Sequence, residues 1–240
     1  MVCARIAGLG PRRDLRKLTV FSIQEESLTH TIITERCEMT EQCCALQVGQ
    51  KVPDFEIETF EPETSSFSKF SLSEAKKNKK WTILVFYPAD FTFICPTELA
   101  DLAEKHEELK KLGCEVVSVS TDTKFVHFGW IQQEKLLTGV KYHMGADQKT
   151  TLSRLFGVFD EDSGLALRGT FVINPDGVLV GSEVNFFNVG RNADELVRKM
   201  MAFDYVRNAP AEVCPAKWTP GEKTLTPSEK IVGKVYEALK

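Results

Sequence analysis

The run Trp81-Thr82-Ile83-Leu84-Val85-Phe86-Tyr87-Pro88-Ala89-Asp90-Phe91-Thr92-Phe93-Ile94-Cys95-Pro96-Thr97-Glu98 places one cysteine where a strand hands over to a helix. Residues 81–87 are apolar and β-rich, without the polar alternation of a half-exposed strand, and so predict a buried central strand. From Thr97 to Lys111 the period becomes helical, with Leu99, Leu102, Ala103, His106 and Leu109 on one face. Cys95 therefore falls at the N-cap or in the first turn of that helix, where Pro96 is tolerated. Free N–H groups and the positive helix end favour an anion there, and the thiolate is the nucleophilic form of cysteine.

A lone cysteine beside a core strand is most often an inert packing residue. Three neighbours set Cys95 apart. Thr92, three residues upstream, brings a hydroxyl within reach of a sulfur or a bound oxygen. Pro88 removes a backbone donor and shields the sulfur from water. Glu98 favours the helix start and offers a carboxylate to hold a cation nearby.

Outward from this stretch, strands and helices alternate, which argues for α/β layering. The pattern predicts a strand at 115–120, a helix near 124–137, a short strand at 140–144 and a helix near 149–156. Leu165–Ile173 and Val178–Asn185 read as strands joined by the turn Asn174-Pro175-Asp176-Gly177, an antiparallel hairpin. A helix over Asn192–Tyr205 follows. Pro227 opens a last helix, roughly 227–239, with Ile231, Val232, Val235 and Leu239 on one face.

The chain has 240 residues, enough for one domain of ordinary size plus extensions. Thirty-four acidic against thirty basic residues give a net charge of −4, which argues against nucleic acid as a partner. No apolar run is long enough to span a bilayer. Seven cysteines (3, 37, 43, 44, 95, 114 and 214) are odd in number and irregular in spacing, which fits reduced thiols. Cys114 opens a strand and reads as core, while Cys43-Cys44 reads as incidental. No Cys-x-x-Cys occurs, so the chain is not a thioredoxin-type dithiol reductant. His30, His106, His127 and His143 have no metal-ligand spacing and no cofactor motif is visible, so neither a metal nor a cofactor is expected.

Pro88, Thr92 and Cys95 spell Pro-x-x-x-Thr-x-x-Cys, which resembles the peroxidatic motif of the peroxiredoxins. With its flanks, Phe86 to Glu98, the segment is similar to the typical two-cysteine group, which includes the bacterial alkyl hydroperoxide reductase C subunits. The similarity runs from about Leu46 to Lys240. It implies a thioredoxin-like α/β fold, a central mixed sheet flanked by helices, and a thiol peroxidase that reduces hydrogen peroxide and organic hydroperoxides.

The resemblance also implies a second thiol, which condenses with the sulfenic acid left on the first. Cys214, in Glu212-Val213-Cys214-Pro215-Ala216-Lys217-Trp218, resembles the family's resolving cysteine, in a Pro-rich tail expected to swing. In the typical group that cysteine comes from the partner subunit, which implies an intersubunit disulfide and a homodimer that assembles into a ring, commonly a decamer. Arg168, in Leu167-Arg168-Gly169-Thr170, matches the family's strand arginine, implied to stabilise the thiolate and orient the peroxide. Arg191, in Val189-Gly190-Arg191, resembles a second arginine that pairs with Glu98. The electron donor is implied to be thioredoxin or a flavoprotein disulfide reductase. Peroxide-sensitive members carry a Gly-Gly-Leu-Gly loop and a C-terminal Tyr-Phe pair. Here Lys135–Lys141 and Tyr236-Glu237 stand instead, so resistance to overoxidation is expected. A different class of function, a redox-regulated chaperone or signalling scaffold without peroxidase turnover, is the alternative.

Three segments result: an N-terminal extension over 1–45, a thioredoxin-like peroxidase domain over 46–206, and a tail over 207–240 that carries the resolving cysteine. Arg5, Arg12, Arg13, Arg16 and Lys17 against Asp14 make the start basic, as in a mitochondrial or plastid transit peptide, but it lacks a clear amphipathic run and turns acidic at Glu25-Glu26. Met39-Thr40-Glu41-Gln42 lies just ahead of the family-like segment, so residues 1–38 are read as disordered or as an upstream extension of the reading frame, with a cytoplasmic location.

Overall fold

The computed structural model describes residues 45–240. The basic start, Cys3, Cys37, Cys43-Cys44 and His30 lie outside the described residues, and with them the readings of 1–38 as transit peptide or frame extension.

Strand β3 (Trp81–Phe86) is buried at every position and lies near the middle of a seven-stranded sheet. Its odd and even side chains enter different cores, as a pleated strand covered on both faces requires. Trp81, Ile83 and Val85 pack with Leu99, Leu102 and Leu109 of helix α2 (Cys95–Lys111). Leu84 and Phe86 pack with Leu72 and Ala75 of a short helix, α1 (Leu72–Lys77), and with Phe156 and Phe171. The helical face read from the sequence is thus the face that α2 buries, with His106 half-exposed at its edge.

The chain upstream of β3 forms an antiparallel hairpin, β1 (Glu56–Glu61) and β2 (Ser66–Ser71). Beyond α2 come β4 (Cys114–Ser120), α3 (Lys124–Gln133), β5 (His143–Ala146) and α4 (Thr151–Leu155). A small two-stranded sheet, β6 (Phe159–Asp160) with β7 (Leu165–Ala166), precedes β8 (Arg168–Ile173), β9 (Leu179–Asn185) and helix α5 (Ala193–Asn208). The large sheet runs β2-β1-β5-β4-β3-β8-β9. β3, β4 and β5 are parallel, while β8 is antiparallel to β3 and to β9. This is the mixed, thioredoxin-like sheet that the motif order implies. The β8–β9 hairpin turns at Gly177 (φ 79), where the side chain of Asn174 accepts hydrogen bonds from the N–H groups of Asp176 and Val178.

Several boundaries differ from the sequence reading. The helix expected over 124–137 stops at Gln133, because extended Glu134 (ψ 107) breaks it and caps a 3-10 turn at Lys135–Gly139. The strand expected at 140–144 is β5, His143–Ala146. The strand expected over Leu165–Ile173 is interrupted at Leu167, whose N–H is taken by Val158 O. The expected last helix, 227–239, does not form as one piece. Gly233 adopts φ 73, outside the right-handed helical region, and leaves a 3-10 turn at Glu229–Ile231 and a one-turn helix, α6 (Val235–Leu239). Val232, Val235 and Leu239, the intended apolar face, are exposed.

One polar clip joins three strands. His143 Nδ1 of β5 lies 2.7 Å from Glu61 Oε2 of β1, and its Nε2 lies 3.8 Å from Glu115 Oε2 of β4. Burial alone would lower the imidazole, but the carboxylates of Glu115 and Glu61 outweigh it and raise His143 to about 9. The folded value lies above the ordinary 6.5, so this contribution is complete below about pH 6.5 and is lost as pH rises through about 9. Chemical denaturation at pH 6, 7.5 and 9.5 should therefore show stability falling with pH. His143→Gln should flatten that slope, and an unchanged slope would remove the clip from the account.

Candidate active site

Register brings the site together. Val85 of β3 pairs with Thr170 of β8, so Arg168 lies two residues further on, at the end of the sheet where β3 delivers the chain to the loop 87–94. Arg168, Thr170 and Val172 share one face of β8, and Val172 packs in the core that α2 covers. Cys95 is the first residue of α2, after Ile94, and its side chain is completely buried.

Arg168 Nη1 donates to Cys95 Sγ at 3.4 Å and also to Glu98 Oε2, while its Nε donates to Phe187 O at 2.8 Å. Arg191 holds the other carboxylate oxygen, with its Nε 2.8 Å and its backbone N–H 3.0 Å from Glu98 Oε1. Its Nη1 reaches Gly169 O at 2.9 Å and Thr170 Oγ1 at 3.2 Å. The side chains of Arg168, Arg191 and Glu98 are all at least nine-tenths buried. Two guanidiniums and one carboxylate leave one positive charge unbalanced in a place with little water. A thiolate on Cys95 is the group positioned to balance it. The free N–H groups expected at the helix start are largely absent, because Pro96 carries none and those of Thr97 and Glu98 bond to Ile94 O, so the helix end contributes its dipole rather than open donors.

The loop carries its own constraints. Pro88 is buried just past the end of β3. Thr92 Oγ1 donates to Ala89 O at 2.8 Å rather than to the sulfur. Its proton is thereby committed and its oxygen remains available to accept. Phe91 has φ 57, a conformation that a bulky residue rarely adopts and that costs on the order of 1–3 kcal/mol.

The structure gathers Cys95, Glu98, Arg168 and Arg191 into one contact network, with Pro88 and Thr92 in the adjoining loop. Cys214 forms no disulfide with Cys95 and is a free, half-buried thiol. Its segment is clasped rather than loose. Tyr205 of α5 donates to Glu212 Oε2 at 2.7 Å, the Tyr205 and Trp218 rings lie 4.9 Å apart, and Arg198 Nη1 donates to Trp218 O at 2.9 Å. Burial, with Glu212 close by, pushes the Cys214 thiol above its ordinary range. Cys114, in the core as expected, is pushed up to about 12 by burial. Sequence reasoning gave no role to Tyr87, Asp90 or His127, which pack together beneath the loop. Among the described residues no group of His, Cys, Asp and Glu is placed to hold a metal ion, and no helix is long and apolar enough to cross a membrane.

Comparison with known proteins gives these contacts a context. Residues 48–182 match the model of the AhpC/TSA family, and residues 202–237 match that of the C-terminal domain of 1-Cys peroxiredoxin, a stretch that here includes Cys214. Alkyl hydroperoxide reductase C of Amphibacillus xylanus is 49% identical over 188 residues, 78% of this chain and 98% of that protein. The Staphylococcus aureus protein of the same name is 46% identical over the same shares. Among solved structures, Enterococcus faecalis AhpC superposes with a TM-score of 0.66 at 42% identity, over 70% of this chain and 98% of that one. The reduced 2-Cys peroxiredoxin of Plasmodium vivax gives 0.73 at 29% identity, over 77% and 95%.

Proposed function

The chain belongs to the AhpC/TSA family of peroxiredoxins, and from that premise we propose which of its residues perform each step. It is a thiol-dependent hydroperoxide reductase, with hydroperoxides as substrates and a disulfide reductase as electron donor. The observation that carries the assignment of roles is the Arg168 guanidinium 3.4 Å from a buried Cys95 sulfur at a helix start.

In this reading the Cys95 thiolate attacks the terminal oxygen of the hydroperoxide. The S–O bond forms as the O–O bond breaks, Cys95 becomes a sulfenic acid, and the alkoxide leaves to take a proton as the alcohol. Arg168 holds the sulfur's negative charge before attack and offsets the charge that develops on the leaving oxygen. Thr92 Oγ1 accepts from the hydroperoxide O–H and so orients it, and Pro88 keeps water from the sulfur. Glu98 and Arg191 fix the plane of the Arg168 fork. Cys214 then attacks the sulfenic sulfur, water leaves, and the resulting disulfide is opened by thioredoxin or a flavoprotein disulfide reductase.

We place Cys214 on the partner subunit of a homodimer. β9 is an edge strand of the sheet that carries exposed Val184 and is followed by exposed Phe186 and Val189, and an open edge of this kind favours pairing with a second copy. Phe91 and Phe93, exposed on the active-site loop, favour a further contact that builds dimers into a ring, a decamer in this reading. The cytoplasmic location belongs to the same proposal and rests on the odd, irregular cysteine set. The assembly is tested on non-reducing gels after one equivalent of peroxide. A covalent dimer should form and should vanish in Cys95→Ser and in Cys214→Ser. A monomeric band alone would place the bridge within one chain.

A further inference from the structure

Beneath the active-site loop lies a buried polar cluster whose hydrogen bonds reach neither Cys95 nor Arg168, although the Tyr87 ring shares the core in which Cys95 is buried. The Tyr87 hydroxyl donates to Asp90 Oδ1 at 2.7 Å, and Asp90 Oδ2 lies 2.7 Å from His127 Nδ1. The far side of that ring, Nε2, lies 3.2 Å from Gly145 O of β5. The Asp90 N–H donates to Asp122 Oδ2 at 2.9 Å, and Asp122 also accepts from Ser120 at the end of β4. Tyr87 and His127 are completely buried and Asp90 is 6% exposed. Two residues of the loop itself, Tyr87 and Asp90, with His127 from 37 positions further on, thus tie the loop to α3, β4 and β5.

The reaction makes opposite demands on that loop. Peroxide attack uses Cys95 where it lies, completely buried beside Arg168. Disulfide formation requires the same sulfur to leave that position and meet Cys214, which cannot happen while the first turn of α2 stays wound. Phe91, at φ 57 directly after Asp90, is a strained residue that favours release once its neighbours let go. The Tyr87–Asp90–His127 bonds oppose that release.

We propose that Tyr87, Asp90 and His127 are positioning residues that act as a pin on the loop, and that their bond strength sets how often Cys95 is released for disulfide formation. This rests on the reading of Cys214 as the resolving thiol. Loosening the pin speeds disulfide formation and lets it outrun attack by a second peroxide, which would carry the sulfenic acid to sulfinic acid. The first attack, which uses the closed loop, is little affected while the closed state remains dominant.

Tyr87→Phe removes one hydroxyl and leaves the ring in place, and Asp90→Asn keeps shape and the backbone bond to Asp122. The second serves as well if the first fails to fold. Loss of one buried hydrogen bond, about 1.4 kcal/mol or tenfold in an opening equilibrium, sets the expected scale. In the reduced full-length protein, hydrogen exchange at Thr97 and Glu98, whose amides bond to Ile94 O, should quicken about tenfold relative to Leu102–Leu109 of the same helix. Rapid-mixing mass spectrometry should then show disulfide formation about tenfold faster, and a peroxide dose for half-sulfinylation of Cys95 about tenfold higher. Ser153→Ala is the control. It removes a comparable buried bond, to Asp147 at 2.7 Å, far from the loop in sequence, and should leave both ratios unchanged.

Unchanged exchange at Thr97 and Glu98 would overturn the proposal. So would faster exchange without faster disulfide formation, or an equal shift in Ser153→Ala, which would reduce the effect to general stability. The exchange measurement does not involve Cys214, so a mistaken reading of that cysteine shows itself separately, as a disulfide to Cys95 that still forms in Cys214→Ser.

Discussion

Cys95→Ser is expected to lower multi-turnover peroxide consumption to the uncatalysed level while leaving the fold intact. The expectation depends on the other described thiols as much as on Cys95 itself. Cys114 is raised to about 12 by burial, so on the order of one molecule in 10⁵ carries a thiolate there at pH 7. Cys214 is held above the ordinary thiol range by burial and by Glu212, and no guanidinium bonds to its sulfur as Arg168 does to that of Cys95. Neither supplies a substitute nucleophile. A serine hydroxyl in the same place would be a far weaker one. Coupled assays that follow reductant oxidation would reveal the loss, and turnover persisting in the variant would transfer the chemistry to another of the chain's cysteines.

The second large effect is expected at Arg168. Arg168→Gln should reduce the second-order rate constant for peroxide about 10²–10³-fold, the usual scale for removing one preorganised donor from a developing charge. It should also destabilise the protein by about 3–5 kcal/mol, because Glu98 then loses one of two buried partners. Arg168→Lys keeps the charge, but one ammonium cannot serve Phe187 O, Glu98 and the sulfur with the planar fork that Arg168 uses, so it should recover only part of the rate. Arg191→Gln gives the contrast. Arg191 touches Glu98 and the β8 backbone but not Cys95, so its loss should weigh more on stability than on rate. Equal rate losses at the two arginines would mean that the sulfur contact has no special part in attack.

Much of this site is legible in the sequence because it is local. Pro88, Thr92, Cys95 and Glu98 fall within eleven consecutive residues, and the switch from an apolar run to helical period at Thr97 announces the helix start. The strand that carries Arg168 is equally plain, and the Asn174–Gly177 turn gives its antiparallel partner. Residues whose role is set by tertiary approach are not legible in that way. Asp90 looks like a loop residue until His127, 37 positions later, is brought to 2.7 Å, and nothing in the spacing of either one signals it. The 227–239 segment fails for a different reason. Its apolar period is real, yet Gly233 and the lack of a surface to bury Val232 and Val235 within the described residues leave the period without effect. The tail around Cys214 reads as a mobile Pro-rich run, because the Tyr205–Glu212 and Tyr205–Trp218 contacts that clasp it join residues across a turn.

The central claim is that the sulfur beside Arg168 is the one that takes oxygen from the peroxide. Its most direct test uses Cys214→Ser, which removes the thiol proposed to resolve the sulfenic acid. The reduced variant is mixed with less than one equivalent of hydrogen peroxide in the presence of a dione trap for sulfenic acids, and every cysteine peptide is weighed by mass spectrometry. The account predicts one adduct, on Cys95, formed in proportion to the peroxide added, with Cys114 unlabelled. An unlabelled Cys95 together with a labelled thiol elsewhere in the chain would contradict it.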